Sequence, residues 1–240
     1  MTQQTTAEQQ EQRRQRPQGW SYQGETGPSR WVLLRPDYAA CHQGKEQSPI
    51  NITAVTSAAL APLEFSYKED LWKITDNGHT VSVEIPSGSV VEIRGTTYQL
   101  TQFHFHARAE NLLDGQQHDM ELHLVHEDQA GNLAVVGVWL QGGGADHPAL
   151  AKVWSHIPGT KQQQATITDD ALNPGDLLPR DQSYFNWAGS LTTPPCAEGV
   201  DWNMLKTPLV VSDAQIATFR SLYSDNYRPV QALNGRTISG

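Results

Sequence analysis

Basic residues are scarce in this chain of 240 residues: 17 Lys and Arg stand against 26 Asp and Glu, giving a formal net charge of −9. No cluster of them forms the cationic stripe that a nucleic-acid backbone requires, so nucleic acid is excluded as a partner. Long apolar runs are missing too. None approaches the roughly 20 residues of a membrane-spanning helix, so the sequence predicts a soluble protein with no membrane span. The segment from Met1 to Gln18 is rich in Gln, carries Arg13, Arg14 and Arg16, and lacks the apolar stretch of a secretory signal. It reads as a disordered tail over residues 1–18, ahead of one continuous domain over residues 19–240 with no internal repeat or long linker. Cysteine is nearly absent, with Cys41 and Cys196 the two examples. A pair so far apart is compatible with one disulfide, two buried thiols or two metal ligands, and spacing alone does not choose.

What the chain does have is strand pattern. Turn clusters at Asp76-Asn77-Gly78, Pro86-Ser87-Gly88 and Gly142-Gly143-Gly144 separate segments with period-two alternation or β-branched residues. These segments run from Val81 to Ile85, Val90 to Ile93, Leu100 to Ala107, Met120 to His126, Leu133 to Leu140 and Leu209 to Val211. Helical signals are fewer. One covers Pro148 to His156, and another follows Ser212, where Gln215 completes a capping box ahead of Ile216, Phe219 and Leu222. The expected fold is mostly β (α+β), a single domain built on a large sheet with peripheral helices.

Nine histidines are present, and strand parity sorts them. Between Leu100 and Arg108, side chains alternate across the strand, so Gln102, His104 and His106 share one face while Phe103 and Phe105 take the core face. Between Met120 and His126, Glu121, His123 and Val125 share a face. If the two strands pair, three imidazoles converge, as at a catalytic zinc whose fourth position stays open. A structural zinc site is instead closed by four protein ligands, commonly including cysteine. A His-x-His pair on a strand can also be a plain polar face. Gln102 and Glu121 favour the metal, because each sits two residues before a candidate ligand and can accept its other ring N–H. Downstream, Leu191-Thr192-Thr193-Pro194-Pro195-Cys196 reads as a rigid loop, since two prolines remove amide donors and fix the chain. Beside the histidines, Thr192 is placed to accept a hydrogen bond from a metal-bound hydroxide and to pass its own proton to Glu198.

Together these segments resemble the alpha-class carbonic anhydrases, from about Trp20 to near Arg236. Matching motifs, in order, are Trp20-Ser21-Tyr22, Gly27-Pro28, Trp31, Gln47-Ser48-Pro49-Ile50, Gln102-Phe103-His104-Phe105-His106, Glu121-Leu122-His123-Leu124-Val125-His126, Leu191-Thr192-Thr193-Pro194-Pro195 and Asn226-Tyr227-Arg228-Pro229. The resemblance implies a central, largely antiparallel sheet of about ten strands with short helices outside. It implies one Zn2+ per chain on His104, His106 and His123, with Gln102, Glu121, the backbone of Asn226 and a buried Glu110 behind them. Thr192 and Glu198 would orient the hydroxide, and Val125, Val135, Leu191, Val200 and Trp202 would hold carbon dioxide. Thr193, Asn77 and Tyr22 would line the polar side, and His79 would be the proton shuttle. Cys41 and Cys196 fall where bacterial and several extracellular members form a disulfide. After His106 the chain reads Ala107-Arg108-Ala109-Glu110-Asn111, which is similar to the bacterial branch, although that branch more often has Pro in place of Arg108.

The implied activity is reversible hydration of carbon dioxide to bicarbonate and a proton by zinc-bound hydroxide, with sulfonamides or anions as inhibitors and a possible side activity on esters. A non-catalytic module that keeps the fold is the competing class, and the retention of all three histidines and Thr192 argues against it. A structural site of two cysteines and two histidines is a further alternative. The disulfide points to a periplasmic or secreted protein, whose signal segment would then be absent from this chain. A homodimer is left open. The remaining histidines, His42, His118, His126, His147 and His156, are expected to be structural or surface groups. Asn51-Ile52-Thr53 fits a glycosylation sequon, a pattern common by chance.

Overall fold

A computed structural model describes residues 19–86 and 88–240, so the tail expected over residues 1–18 lies outside the described residues, as does Ser87 of the second turn cluster. In chain order the strands are β1 (Asn51–Ile52), β2 (Glu64–Ser66), β3 (Asp70–Asp76), β4 (Val81–Glu84), β5 (Val90–Ile93), β6 (Thr96–Ala107), β7 (Leu112–Leu113), β8 (Met120–Glu127), β9 (Leu133–Gln141), β10 (Gln163–Leu172), β11 (Tyr184–Ser190), β12 (Glu198–Leu205) and β13 (Leu209–Val210). The helices are short: α1 (Trp31–Leu34), α2 (Ala40–Gln43), α3 (Pro148–Ser155) and α4 (Asp213–Leu222). None among the described residues is long and apolar enough to cross a membrane.

Eleven strands form one sheet in the order β10-β3-β4-β6-β8-β9-β12-β11, with β5 and β2 continuing from β6 and β13 joining β9. Most pairs are antiparallel, as expected, but β9 takes β12 and β13 as parallel neighbours. A two-stranded parallel pair, β1 with β7, stands apart.

Alternation builds the layers. Phe103 and Phe105 of β6, with Met120, Leu122 and Leu124 of β8, enter one large apolar cluster together with Ile216 and Phe219 of α4. On the other side Val125, Val135, Val200 and Trp202 join Trp139, Trp187 and Met204 in a second cluster. The central strand β8 is covered on both faces, so every residue from Met120 to His126 is buried. Helix α4 starts with the capping box anticipated at Ser212: its hydroxyl accepts the Gln215 amide, and the Gln215 side chain returns to the backbone of Ser212. Such a cap contributes about 1 kcal/mol and fixes where the helix begins. Helix α3 stops at Ser155, one residue before the expected end.

Seven strands escape the sequence pattern: the two- and three-residue β1, β2 and β7, and the longer β3, β10, β11 and β12. The alternating pattern of β3 buries Trp72, Ile74 and Asp76, and the last of these is charged. The outer strand β10 is mostly polar, β11 has small and polar residues between its aromatics, and β12 follows directly on the Pro-Pro loop.

Candidate metal centre

Pairing of β6 with β8 places His104 opposite His123 and His106 opposite Glu121. Two residues on one strand and one on its neighbour thus point the same way, as parity requires. Among the described residues, His104, His106 and His123 form the one group suited to hold a metal ion, with ligand atoms within 4.8 Å of one another. Each ring has one nitrogen already engaged. His104 Nδ1 lies 2.9 Å from Gln102 Oε1, His106 Nδ1 donates to the Asn226 carbonyl at 2.7 Å, and His123 Nε2 donates to Glu121 Oε1 at 2.6 Å. Those acceptors fix each proton on the outward nitrogen and leave Nε2 of His104, Nε2 of His106 and Nδ1 of His123 for a ligand.

Burial gives the electrostatics the same direction. His104 is held well below the ordinary histidine range by burial and the nearby His106 and His123, and His123 by burial and His106. His106 is pushed down to about 4 by burial, against the opposing pull of its bond to Asn226. Three imidazoles that stay neutral at physiological pH are the form a metal needs. His106 Nε2 is also buried with no hydrogen-bond partner among the described residues. A buried nitrogen lone pair with nothing to accept is costly, and a metal ion satisfies it. Three neutral imidazoles with an open fourth direction fit Zn2+.

Glu110 lies beside the inward nitrogens. Its Oε1 accepts the Arg228 backbone N–H at 2.7 Å, while Oε2 stands 3.5 Å from His106 Nε2 and 4.0 Å from His123 Nδ1. Burial raises its pKa well above the carboxylate range, and the Arg228 amide and the Thr192 hydroxyl work in the opposite direction. That last contact corrects an expectation. The carboxyl group facing Thr192 is Glu110, not Glu198. Glu198 is exposed, and its Oε1 accepts the Glu46 backbone N–H at 2.7 Å and the Gln47 side-chain amide at 2.9 Å. The hydrogen bonds of Glu198 run to residues 46 and 47, and among the described residues none runs to Thr192. The loop reading and the family resemblance both suggested Glu198, whereas the fold brings Glu110 to Thr192 from 82 positions away.

The other expected residues fall around this centre. Val125, Val135, Val200 and Trp202 are buried in one apolar cluster with Leu191 packed against it, and the Trp202 ring meets His123 edge-on at 4.9 Å. Tyr22 packs against Trp20 and Trp31, and burial and the charge of Glu110 raise its hydroxyl pKa. Thr193 closes its loop by accepting the Cys196 amide at 2.8 Å. Asn77 is exposed, and its side-chain oxygen accepts the His79 and Thr80 amides at 2.9 Å each, so it holds the turn that carries His79. The His79 ring is half-buried and stacks on Trp20 with centroids 3.8 Å apart and planes at 8°. Burial, then Lys161, lowers its pKa.

Cys41 and Cys196 are joined in a disulfide across 155 residues, which removes the readings as free thiols or metal ligands. The bond ties α2 to the loop that carries Thr192. The Arg228 guanidinium reinforces the same corner by donating to the Gln47 side chain and to the carbonyls of Ser48 and Cys41. Sequence reasoning did not single out Asn111, whose amide and side chain both donate to Glu121; an asparagine inside a loop carries no periodic signal.

Comparison with known proteins agrees with this geometry. A family model described as eukaryotic-type carbonic anhydrase matches residues 26–240. A carbonic anhydrase of Klebsiella pneumoniae is 42% identical over 222 residues, covering 91% of this chain and 89% of that protein. One from Nostoc is 39% identical over 224 residues, covering 91% and 84%. Among solved structures, the alpha-carbonic anhydrase of Thermovibrio ammonificans in complex with sulfanilamide superimposes with a TM-score of 0.89 at 40% identity, over 92% of this chain and 99% of its own. With the match spanning the sheet, the three histidines and the loop of Thr192, the chain belongs to the eukaryotic-type, or alpha, carbonic anhydrase family.

Proposed function

We propose that this chain is a zinc enzyme that catalyses the reversible hydration of carbon dioxide to bicarbonate and a proton, within a catalytic domain over residues 19–240. The observation that carries the reading is the convergence of His104, His106 and His123, each with its outward nitrogen bonded and its inward nitrogen free. When bound by these three, Zn2+ would lower the pKa of a water to about 7, carbonic anhydrases being the reference case for the effect.

The protein's own groups then orient and protect. Thr192, whose hydroxyl acts on Glu110, would direct its proton to that carboxyl group and keep its oxygen as the acceptor that aims a hydroxide at the substrate carbon. Carbon dioxide has no proton to donate and little dipole to satisfy, so Val125, Val135, Leu191, Val200 and Trp202 suit it better than a polar wall. Tyr22, Thr193 and Asn77 belong to the wetter side. His79, half-buried on its turn, takes the released proton toward buffer, a task suited to a group that titrates near neutral pH. The relative solved with sulfanilamide supports inhibition by sulfonamides here. The disulfide supports residence in an oxidising compartment, periplasmic or extracellular. Activated esters are expected as slower substrates, limited by the apolar wall.

The test is stopped-flow hydration of carbon dioxide by wild type and His104→Ala at matched protein concentration. Fast hydration in wild type that is lost in the variant supports the reading. A zinc-loaded wild type without activity refutes it.

A further inference from the structure

Glu121, which orients His123, is itself held in one state by a residue outside the candidate site. Asn111 is completely buried. Its Oδ1 accepts the Ile50 backbone N–H at 2.9 Å, so turning the amide over would set an NH2 group against another donor. The side chain is therefore fixed with Nδ2 toward Glu121, donating to Oε1 at 2.7 Å, while the Asn111 backbone N–H donates to Oε2 at 2.8 Å. The Trp139 indole pins the same residue by donating to its carbonyl at 3.2 Å. Glu121 Oε1 also receives His123 Nε2 at 2.6 Å. Both carboxylate oxygens thus face donors supplied by Asn111, which favours Glu121 as an ionised acceptor toward His123. With Glu121 an acceptor on both sides, the imidazole proton belongs on Nε2 and Nδ1 is bare.

We propose that Asn111 is a positioning residue of the metal centre, acting through the relay Ile50 N–H, Asn111, Glu121 and His123 to fix the tautomer and ring orientation of His123 and so to set zinc affinity. The proposal rests on the reading of the three histidines as a zinc site. The orientation of Asn111 follows from the first member of the relay, a backbone amide that can only donate, and its two donors then bias Glu121 toward accepting from His123. An apolar or acidic side chain of similar size at position 111 fills the same space and breaks the relay.

Two variants and one wild-type measurement test it. Asn111→Asp keeps an acceptor for Ile50 but turns an oxygen toward Glu121 Oε1; Asn111→Ala removes the donor without adding charge. Zinc affinity is read by competition with a chromophoric chelator, ligand geometry by the visible spectrum of the Co2+-substituted protein, and folding by the thermal midpoint of the metal-free form. Loss of an outer partner of this kind weakens metal binding about 10- to 100-fold. A loss of that size in a folded variant, with an altered cobalt spectrum, supports the proposal. A folded variant that binds zinc within about twofold of wild type overturns it, since the outer-partner effect would be missing. Imidazole 15N spectra of metal-free wild type decide the matter even if both variants misfold: a His123 protonated on Nε2 supports the relay, and one protonated on Nδ1 overturns it. A wild type that binds no zinc removes the metal-site reading and this proposal together, whereas tight wild type with equally tight variants removes only the role of Asn111.

Discussion

His126 lies on the opposite face of β8 from His123, buried, with its Nε2 2.7 Å from the Tyr67 hydroxyl. Burial holds its pKa down at about 4, against 6.5 for an unperturbed histidine. The unfolded chain takes up a proton on this imidazole as pH falls below about 6.5, while the folded chain refuses one until about 4. Stability from this group is therefore complete above the unfolded value and is lost as pH falls through that window. A separation of about 2.5 units at 1.36 kcal/mol each sets the loss at about 3 kcal/mol. The assay is urea unfolding of metal-free wild type and His126→Gln between about pH 7 and about pH 4, with metal-free protein chosen so that zinc release contributes nothing. At neutral pH the variant is the less stable, having lost the ring packed under the sheet. On acidification the gap narrows by about 3 kcal/mol, because the variant has no imidazole to protonate on unfolding. A gap constant to within about 0.5 kcal/mol across the range refutes the account of His126 as a buried neutral base.

Glu110 and Glu198 separate cleanly: Glu110→Gln reduces kcat/KM for carbon dioxide by about 100-fold, because it disturbs the acceptor facing Thr192, whereas Glu198→Gln leaves it within about twofold. Equal losses in stopped-flow assays would restore Glu198 to the relay. His79→Ala lowers kcat at low buffer by about tenfold or more, leaves kcat/KM unchanged and is rescued by added imidazole; unchanged kcat would remove His79 from proton transfer. Cys41→Ser opens a loop of 155 residues and lowers unfolding free energy by up to about 5 kcal/mol in the chain-entropy picture, measurable by urea titration. A loss under about 1 kcal/mol would mean that the unfolded chain is not appreciably constrained by the bond.

The ligand set was legible because β-strands alternate. A histidine two residues from another, on a strand with phenylalanines between, can only share its face, and the same parity on β8 selected His123 over His126. Gln102 and Glu121 were legible for the same reason, each being two positions from the ring it orients. What parity could not supply was anything carried by a loop or across distance. Glu110 reaches Thr192 because the chain after β6 folds against the loop that follows β11, so the resemblance named Glu110 as a buried group but the partner chosen for Thr192 was Glu198. Asn111 was invisible because its importance lies in a backbone amide of Ile50, which no side-chain pattern reveals. Spacing left the two cysteines undecided. The disulfide was implied only by the family resemblance, and the structure forms it. Among the strands, β10 was hidden by its polar composition at the sheet edge, where half of each residue's surroundings is solvent.

The most direct test of the central claim is removal and return of the metal in one preparation. Zinc is stripped from wild type with a chelator, carbon dioxide hydration is followed by stopped flow, and zinc is titrated back in measured amounts. Activity is expected to disappear with the metal and to return in proportion, reaching a plateau at one zinc per chain. Hydration that survives complete removal, or that fails to return although the His104, His106 and His123 site refills, would contradict it.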